Sequence, residues 1–278
     1  MLYFLPFLSL SLTSVDSPFL VKLVITFLVG SFWITGATIL AERFGSKVGG
    51  VIGGMPSSIV IALFFIGWTQ TPIAASQATV VVPIVMGFNG IFIIIYSALV
   101  RRSFPLALLG ALAVWLGLAL SLVLLHFDNF VLSLISFLVL VLISYLVMEY
   151  VLHVKSLAGR SRSFALSNIL IRGLVSGVII TLAVVFAKVG GPLFGGVFAS
   201  FPAVFFSTMI LTYFAQGGVF SISVMKPLLL SGTINATVYA AGVRYLYPLF
   251  GIIGGTLGAF LISMVSMYLV FLLVRRIS

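Results

Sequence analysis

Two asparagines, Asn89 in "VMGFNGIF" and Asn235 in "SGTINATVY", stand in the middle of long apolar runs. An amide at membrane depth must find partners, because an unpaired polar group there costs several kcal/mol. Two glycine-rich stretches, "GGVIGGMPSS" at 49–58 and "GGVFASFPAV" at 195–204, each carry one proline, Pro56 and Pro202. Proline has no N–H and clashes with the preceding turn, so each is expected to break or kink its helix. The adjoining glycines permit non-helical backbone and close approach. Two helices broken in this way would aim their N-terminal halves inward, each end worth about half a positive charge. That is the chemistry of holding an anion, a carboxylate or a phosphate headgroup.

The residues expected to line such a site are Gly53, Gly54, Pro56, Ser57 and Asn89 from the first stretch, with Gly196, Ser200, Pro202, Thr208 and Asn235 from the second. Lys226, in "SVMKPLLL", lies two turns inside an apolar run. It either snorkels to the membrane face or serves as a counter-charge for an anionic substrate. Plainer readings stand beside these. The glycines can serve tight helix packing alone. The hydroxyls of Ser57, Ser58, Ser200, Ser207 and Thr208 can bond back to helix carbonyls. The two asparagines can act as interhelical glue. The sequence leaves these alternatives open.

Bond-making chemistry has little to work with. The chain holds four acidic residues, and none sits at the centre of an apolar run. Transferases that hold Mg²⁺ through clustered aspartates are therefore not expected. His126 and His153 fall at the ends of different runs, on opposite faces, which does not suit a Ser–His dyad. His126 with Asp128 offers too few ligands for a metal. There are no cysteines and no P-loop. The chain is expected to be no enzyme, with no cofactor and no metal. Glu149 and His153 lie near one end of a span, where they are poor candidates for proton coupling.

The elements that would position these residues are apolar helices. Of 278 residues, 62% are hydrophobic and 6% charged; the mean hydropathy is +1.37. A span needs roughly 20 apolar residues. Nine such runs are read at 18–41, 48–69, 73–100, 104–126, 129–152, 164–187, 192–215, 219–243 and 250–274. The first fifteen residues are apolar but short, without the basic start of a signal peptide, and are read as an interfacial helix or an extra span. The net charge of +10 is assigned to cytoplasmic loops. Arg43, Lys47, Arg101, Arg102, Lys155, Arg160, Arg162, Arg275 and Arg276 fall on one side, against Lys188 and Arg244 on the other. This places the C-terminus in the cytoplasm of a prokaryotic-type plasma membrane. The loop around 153–163 is expected to touch anionic lipid, and no basic-aromatic pattern for nucleic acid is present.

An offset of 146 residues aligns the chain with itself. Gly45 falls on Gly191, Gly49 and Gly50 on Gly195 and Gly196, Pro56 on Pro202, Gln70 on Gln216 and Asn89 on Asn235, together with several aliphatic pairs. Five spans separate the first run from its partner, so the second copy must be inverted. The expected fold is all-α, a helical bundle of about nine spans. It divides into an N-terminal apolar segment (1–17), a four-span repeat (18–126), a linking fifth span (127–155) and an inverted four-span repeat (156–278). Each half resembles a GlpM-like membrane protein, a family of short four-span bacterial proteins. The resemblance rests on the Gly-rich start with its proline (Gly49–Pro56 and Gly195–Pro202) and on "FPLALLGALAVWLGLALSLVLL" at 104–125. It implies a fused inverted pair and no particular reaction.

Inverted repeats with broken helices point to a transporter or facilitator that moves a small solute, anionic by the dipole argument, through a midplane site. A lipid flippase or scramblase for an anionic headgroup, and a non-transporting assembly or scaffold subunit, are the alternatives. The expected partners are membrane lipids and the solute or headgroup; a homo-oligomer is compatible with the sequence.

Overall fold

A computed structural model describes residues 17–43, 55–154 and 166–277, and every regular element among them is helical. In chain order these are α1 (Ser17–Arg43), α2 (Ser57–Thr69), α3 (Pro72–Ala78), α4 (Val82–Leu99), α5 (Phe104–Leu124), α6 (Phe130–Leu146), α7 (Leu166–Gly190), α8 (Pro192–Ala199), α9 (Ala203–Gln216) and α10 (Gly218–Ile277). A 3₁₀ turn, Thr79–Val81, joins α3 to α4 into one apolar rod. A π turn, Val147–Val151, ends α6. α10 is broken at Gly251 (φ 66°, ψ −171°) into arms at 218–250 and 252–277. Seven helical stretches are long and apolar enough to cross a membrane, and α2 is a shorter apolar helix. The N-terminal segment, Gly53 and Gly54 lie outside the described residues.

The outer faces of α5 and α6 are aliphatic, with Leu109, Leu116, Leu120, Leu124, Leu132, Ile135, Leu138 and Leu142 exposed. Such a surface suits hydrocarbon, where backbone polar groups are already satisfied within the helix. The interior divides into two apolar clusters. One gathers α1, α2, α3 and α7 around Ile34, Leu63, Ala75 and Ile180. The other gathers α4, α5 and α9 around Phe92, Ala111, Trp115 and Met209. Phe198 of α8 packs against both.

Small residues decide how closely the helices meet. α7 carries Gly173 and Gly177 four apart. A β-carbon on either would strike α1: Ser31 Oγ and Phe27 O from Gly177, Thr35 Oγ1 and Ser31 O from Gly173. From the other side, a β-carbon on Gly30 would lie 3.1 Å from Ile180 Cδ1. The two helices thus cross backbone to backbone, the small-xxx-small arrangement that lets apolar helices associate in lipid. The sequence reading places α1 and α7 at matching positions of the two halves, and they are direct neighbours. On α4, Gly87 and Gly90 make the same kind of seat for Leu140 and Ser144 of α6.

The two histidines at helix ends have a local explanation. His126 and His153 both have φ 50°, a left-handed conformation in which histidine is several-fold enriched among non-glycine residues. After α5, the His126 N–H bonds Val123 O at 3.1 Å and the Phe127 N–H bonds Leu122 O at 3.0 Å. That pair is the Schellman stop, with His126 where glycine usually stands.

Replacing Gly177 with Val should overpack the α1–α7 crossing and lower stability by about 1–3 kcal/mol. Gly36 has nothing within 4 Å of its would-be β-carbon, and Gly36→Val should be tolerated. Thermal unfolding of the two purified variants against the parent, in the same detergent, checks both outcomes.

Candidate functional site

Both prolines stand at helix starts, and at Pro202 the preceding helix is described as well. Pro202 is the N-cap of α9 with φ −73° and ψ 42°; Pro56 is the N-cap of α2 with φ −76° and ψ 46°. In each case the next residue's N–H turns back over the proline. Ser57 N bonds Met55 O at 2.8 Å, and Ala203 N bonds Phe201 O at 2.7 Å. These are inverse γ-turns, with i to i+2 bonds and the proline at the centre. The helices resume with Val60 N on Pro56 O at 3.0 Å and Phe206 N on Pro202 O at 2.7 Å. The intervening N–H groups, of Ser58 and Ile59 and of Val204 and Phe205, have no acceptor within their own helix. Both prolines are buried, so two helix N-termini start inside the protein.

The break at Pro202 is described on both sides, and its neighbours explain how it is tolerated. Ser200 ends α8, and its carbonyl is freed by the interruption. Asn89 Nδ2 of α4 donates to that carbonyl at 3.4 Å. Asn89 Oδ1 accepts in turn from Trp115 Nε1 of α5 at 2.7 Å. The Trp115 ring then packs edge-on against Phe201, at 5.3 Å between centroids. Asn89 and Ser200 are almost fully buried, at 1% and 0% exposure. A relay from indole to amide to broken backbone thus holds the interruption in place. Asn235 is seated comparably. Its Oδ1 accepts from Ser266 Oγ at 3.1 Å and its carbonyl from Ser263 Oγ at 3.4 Å, both on the second arm of α10. Each asparagine is therefore fixed by the helix that follows its own.

The remaining expected residues fall as follows. Gly196 sits where a β-carbon would strike the Ala78 carbonyl oxygen and lie 2.9 Å from Val81 Cγ2. Gly195 would similarly crowd Ala187. This glycine pair lets α8 wedge between α3 and α7. Ser200 Oγ bonds back to Gly196 O at 2.8 Å, Ser57 Oγ faces Met55 O at 3.5 Å, and Ser207 Oγ reaches Val204 O at 3.2 Å. Thr208 is half-buried on α9, and its carbonyl accepts from Thr212 Oγ1.

Lys226 has protein partners that the sequence does not name. It is 8% exposed, forms an ion pair with Glu149, donates to Val154 O at 3.2 Å and lies 5.5 Å from the Tyr145 ring centroid. Glu149 is in the π turn that ends α6, and the extra residue in that turn changes which way its side chains face. The ion pair ties α10 to the end of α6. The sequence gives no local sign of it, because 77 residues separate the partners. The one usable signal was rarity, since acidic residues are so few in the chain. Trp115 was missed for the same reason: indole N–H donors at bundle depth need partners, yet spacing does not name them.

Comparison with known proteins returns no match, whether against family models, curated proteins or solved structures.

Two stability outcomes follow. Asn89→Leu leaves the Trp115 N–H and the Ser200 carbonyl unpaired and should cost about 1–2 kcal/mol. A double-mutant cycle with Trp115→Phe should show coupling between the two positions. For the ion pair, Glu149→Gln strands a buried ammonium and should cost about 2 kcal/mol, Glu149 being partly exposed. The double variant Lys226→Met with Glu149→Leu should recover most of that loss. Reversible unfolding in mixed micelles measures both cycles.

Proposed function

We propose that the chain is a membrane transporter built from two inverted repeats of four spans around a linking fifth, moving a small anionic solute between them. The observation that carries this reading is the pair of buried, proline-capped helix starts. Two prolines 146 residues apart start buried helices with backbone angles that agree within a few degrees. Two helix starts recur at the same offset, Ser57 against Ala203 and Pro72 against Gly218, and the start of α5 at Phe104 falls on Phe250, one residue before the break in α10. Discontinuous helices whose N-termini begin inside the bilayer are how many carriers offer partial positive charge to an anion without burying a cation. On this reading Lys226 is a charge held in reserve. Glu149 neutralises it at rest, and an incoming anion competes for it. The positive-inside bias places the end carrying Arg101, Arg102 and His153 in the cytoplasm. The likeness of each half to GlpM-like proteins belongs to the same proposal and bears on the architecture only.

One observation favours the assembly-subunit reading. Gly195 and Gly196 are in close contact with Ala187 and Ala78, which is what dry helix packing requires.

Reconstitution decides among the readings. Vesicles containing the protein, given concentration jumps of phosphate, acetate, lactate and glycerol 3-phosphate, should show saturable uptake or charge movement that empty vesicles lack. Pro202→Ala, which restores an N–H and favours a continuous helix, should reduce that flux about tenfold or more while the protein stays folded. Dithionite quenching of fluorescent phospholipids in the same vesicles reports headgroup flipping. Folded protein that moves neither solutes nor lipids would leave the assembly role.

A further inference from the structure

One end of the bundle holds a cavity of about 380 Å³ between α4, α6 and α10. Its walls include Ser97 of α4, Arg101 in the turn after it, His153 and Val154 after the π turn, and Val219 and Ile222 of α10. None of these residues was singled out as a binding residue by the sequence, and the cavity is separate from the broken helices.

Ser97 is the informative member. It is 4% exposed, and its Oγ has no hydrogen-bond partner. The hydroxyls of Ser31, Thr237 and Tyr239 are also buried and unpaired, but of these four only Ser97 lines this cavity. Thr26, Thr38 and Thr233 each bond back to the carbonyl four residues earlier, at 2.6–2.8 Å. Buried polar atoms are almost always paired, and an exception at a cavity wall points to an occupant. In the turn that follows α4, Arg101 brings an exposed, planar guanidinium to the same cavity wall. Opposite, α10 begins at Gly218 after Gly217 (φ 85°, ψ 177°). The first helical bond there is Ser221 N to Gly217 O at 3.1 Å. The N–H groups of Gly218, Val219 and Phe220 therefore have no intrahelical acceptor, and they sit at the positive end of a 33-residue arm. His153, held left-handed at φ 50°, adds an imidazole.

The carbonyl ends of α4 and α6 oppose this field, and Arg101 and His153 offset them. Behind the wall, the Val154 carbonyl accepts from Lys226, whose charge Glu149 balances. Glu149 is thus already occupied, and the polar side chains of the lining are Ser97, Arg101 and His153, all able to donate.

We propose that this cavity binds a phosphoryl oxyanion, either a soluble phosphate or the phosphate of a lipid headgroup. Arg101, the Ser97 hydroxyl and the first turn of α10 supply donors from three directions, as a tetrahedral anion requires. The apolar part of the wall, Val219 and Ile222, takes the organic remainder. As a loading station for transport the site rests on the function proposed above. As a binding site it stands alone, and equilibrium binding tests it without any flux measurement.

The full chain in phosphatidylcholine nanodiscs is titrated with inorganic phosphate and with glycerol 3-phosphate, followed by ³¹P line broadening. Saturable binding is expected. Arg101→Gln and Ser97→Ala should each weaken it about tenfold, the effect of one hydrogen bond to a charged group. Arg102→Gln, exposed and outside the cavity wall, should change it less than about twofold. Ser97→Ala removes an unpaired hydroxyl, so the ligand-free protein should unfold at the parent temperature or above. That separates lost binding from lost folding. Phosphatidic acid added to the discs identifies the source: competition with phosphate assigns the site to headgroups, and its absence to soluble phosphates. The proposal is overturned if phosphate does not saturate, if Arg102→Gln matches Arg101→Gln, or if Ser97→Ala binds like the parent. Binding without flux would retain the site and remove only its role in transport.

Discussion

A backbone carbonyl released inside an apolar bundle must find a donor, and the structure around α8 and α9 is organised by that requirement. Pro202 cannot continue a helix, so Ser200 loses its usual acceptor role. Asn89 reaches from α4 to supply the missing bond, at 3.4 Å. Its own carbonyl would then be stranded, and Trp115 answers it from α5 at 2.7 Å. Three elements are thereby committed to one position. Gly196 must lack a side chain so that α8 can come close enough to Ala78 for the relay to close. A glycine, an asparagine and a tryptophan that look unrelated along the chain serve one interruption. In lipid-facing folds no solvent takes up the slack, so each freed group must be met by protein.

The Lys226–Glu149 pair obeys the same constraint with full charges. Burying either residue alone would cost several kcal/mol. Pairing reduces the net charge of the region to zero, while the Val154 carbonyl and the Tyr145 ring accept the remaining ammonium field. The π turn is what brings Glu149 to this partner. Such a pair is bistable in principle, because a competing anion can take the lysine and release the carboxylate. Its neighbourhood is also where the unpaired Ser97 hydroxyl and the cavity occur. Two gatherings of polar groups thus stand out among the described residues: one around the Pro202 interruption, and one at the bundle end where α4, α6 and α10 meet.

Much of the fold was readable without coordinates. The apolar runs gave helices with ends close to those expected, as at 72–99 and 104–124 against runs read at 73–100 and 104–126. Helix ends follow local rules: a proline removes a donor, and a glycine or histidine accepts positive φ. The helix start at Pro56 and the interruption at Pro202 were legible for that reason. The glycines were ambiguous, since a glycine before a proline serves either conformational freedom or close packing. Only the neighbours show that Gly195 and Gly196 serve packing. The candidate site was partly legible: the rarity of asparagine at mid-run marked Asn89 and Asn235, but not what they hold.

By itself the sequence determined the solvent the chain is built for, the helical state of nearly every described residue, and the two prolines after which buried helices start. Those properties depend on composition and on bonds within four residues. Tertiary structure decided which groups meet. Asn89 and Ser200 are 111 residues apart, and Lys226 and Glu149 are 77 apart. A polar side chain in an apolar run announces only that it needs a partner. Which partner it finds depends on how whole helices cross, and that is set by the sum of many small apolar contacts with no local signature.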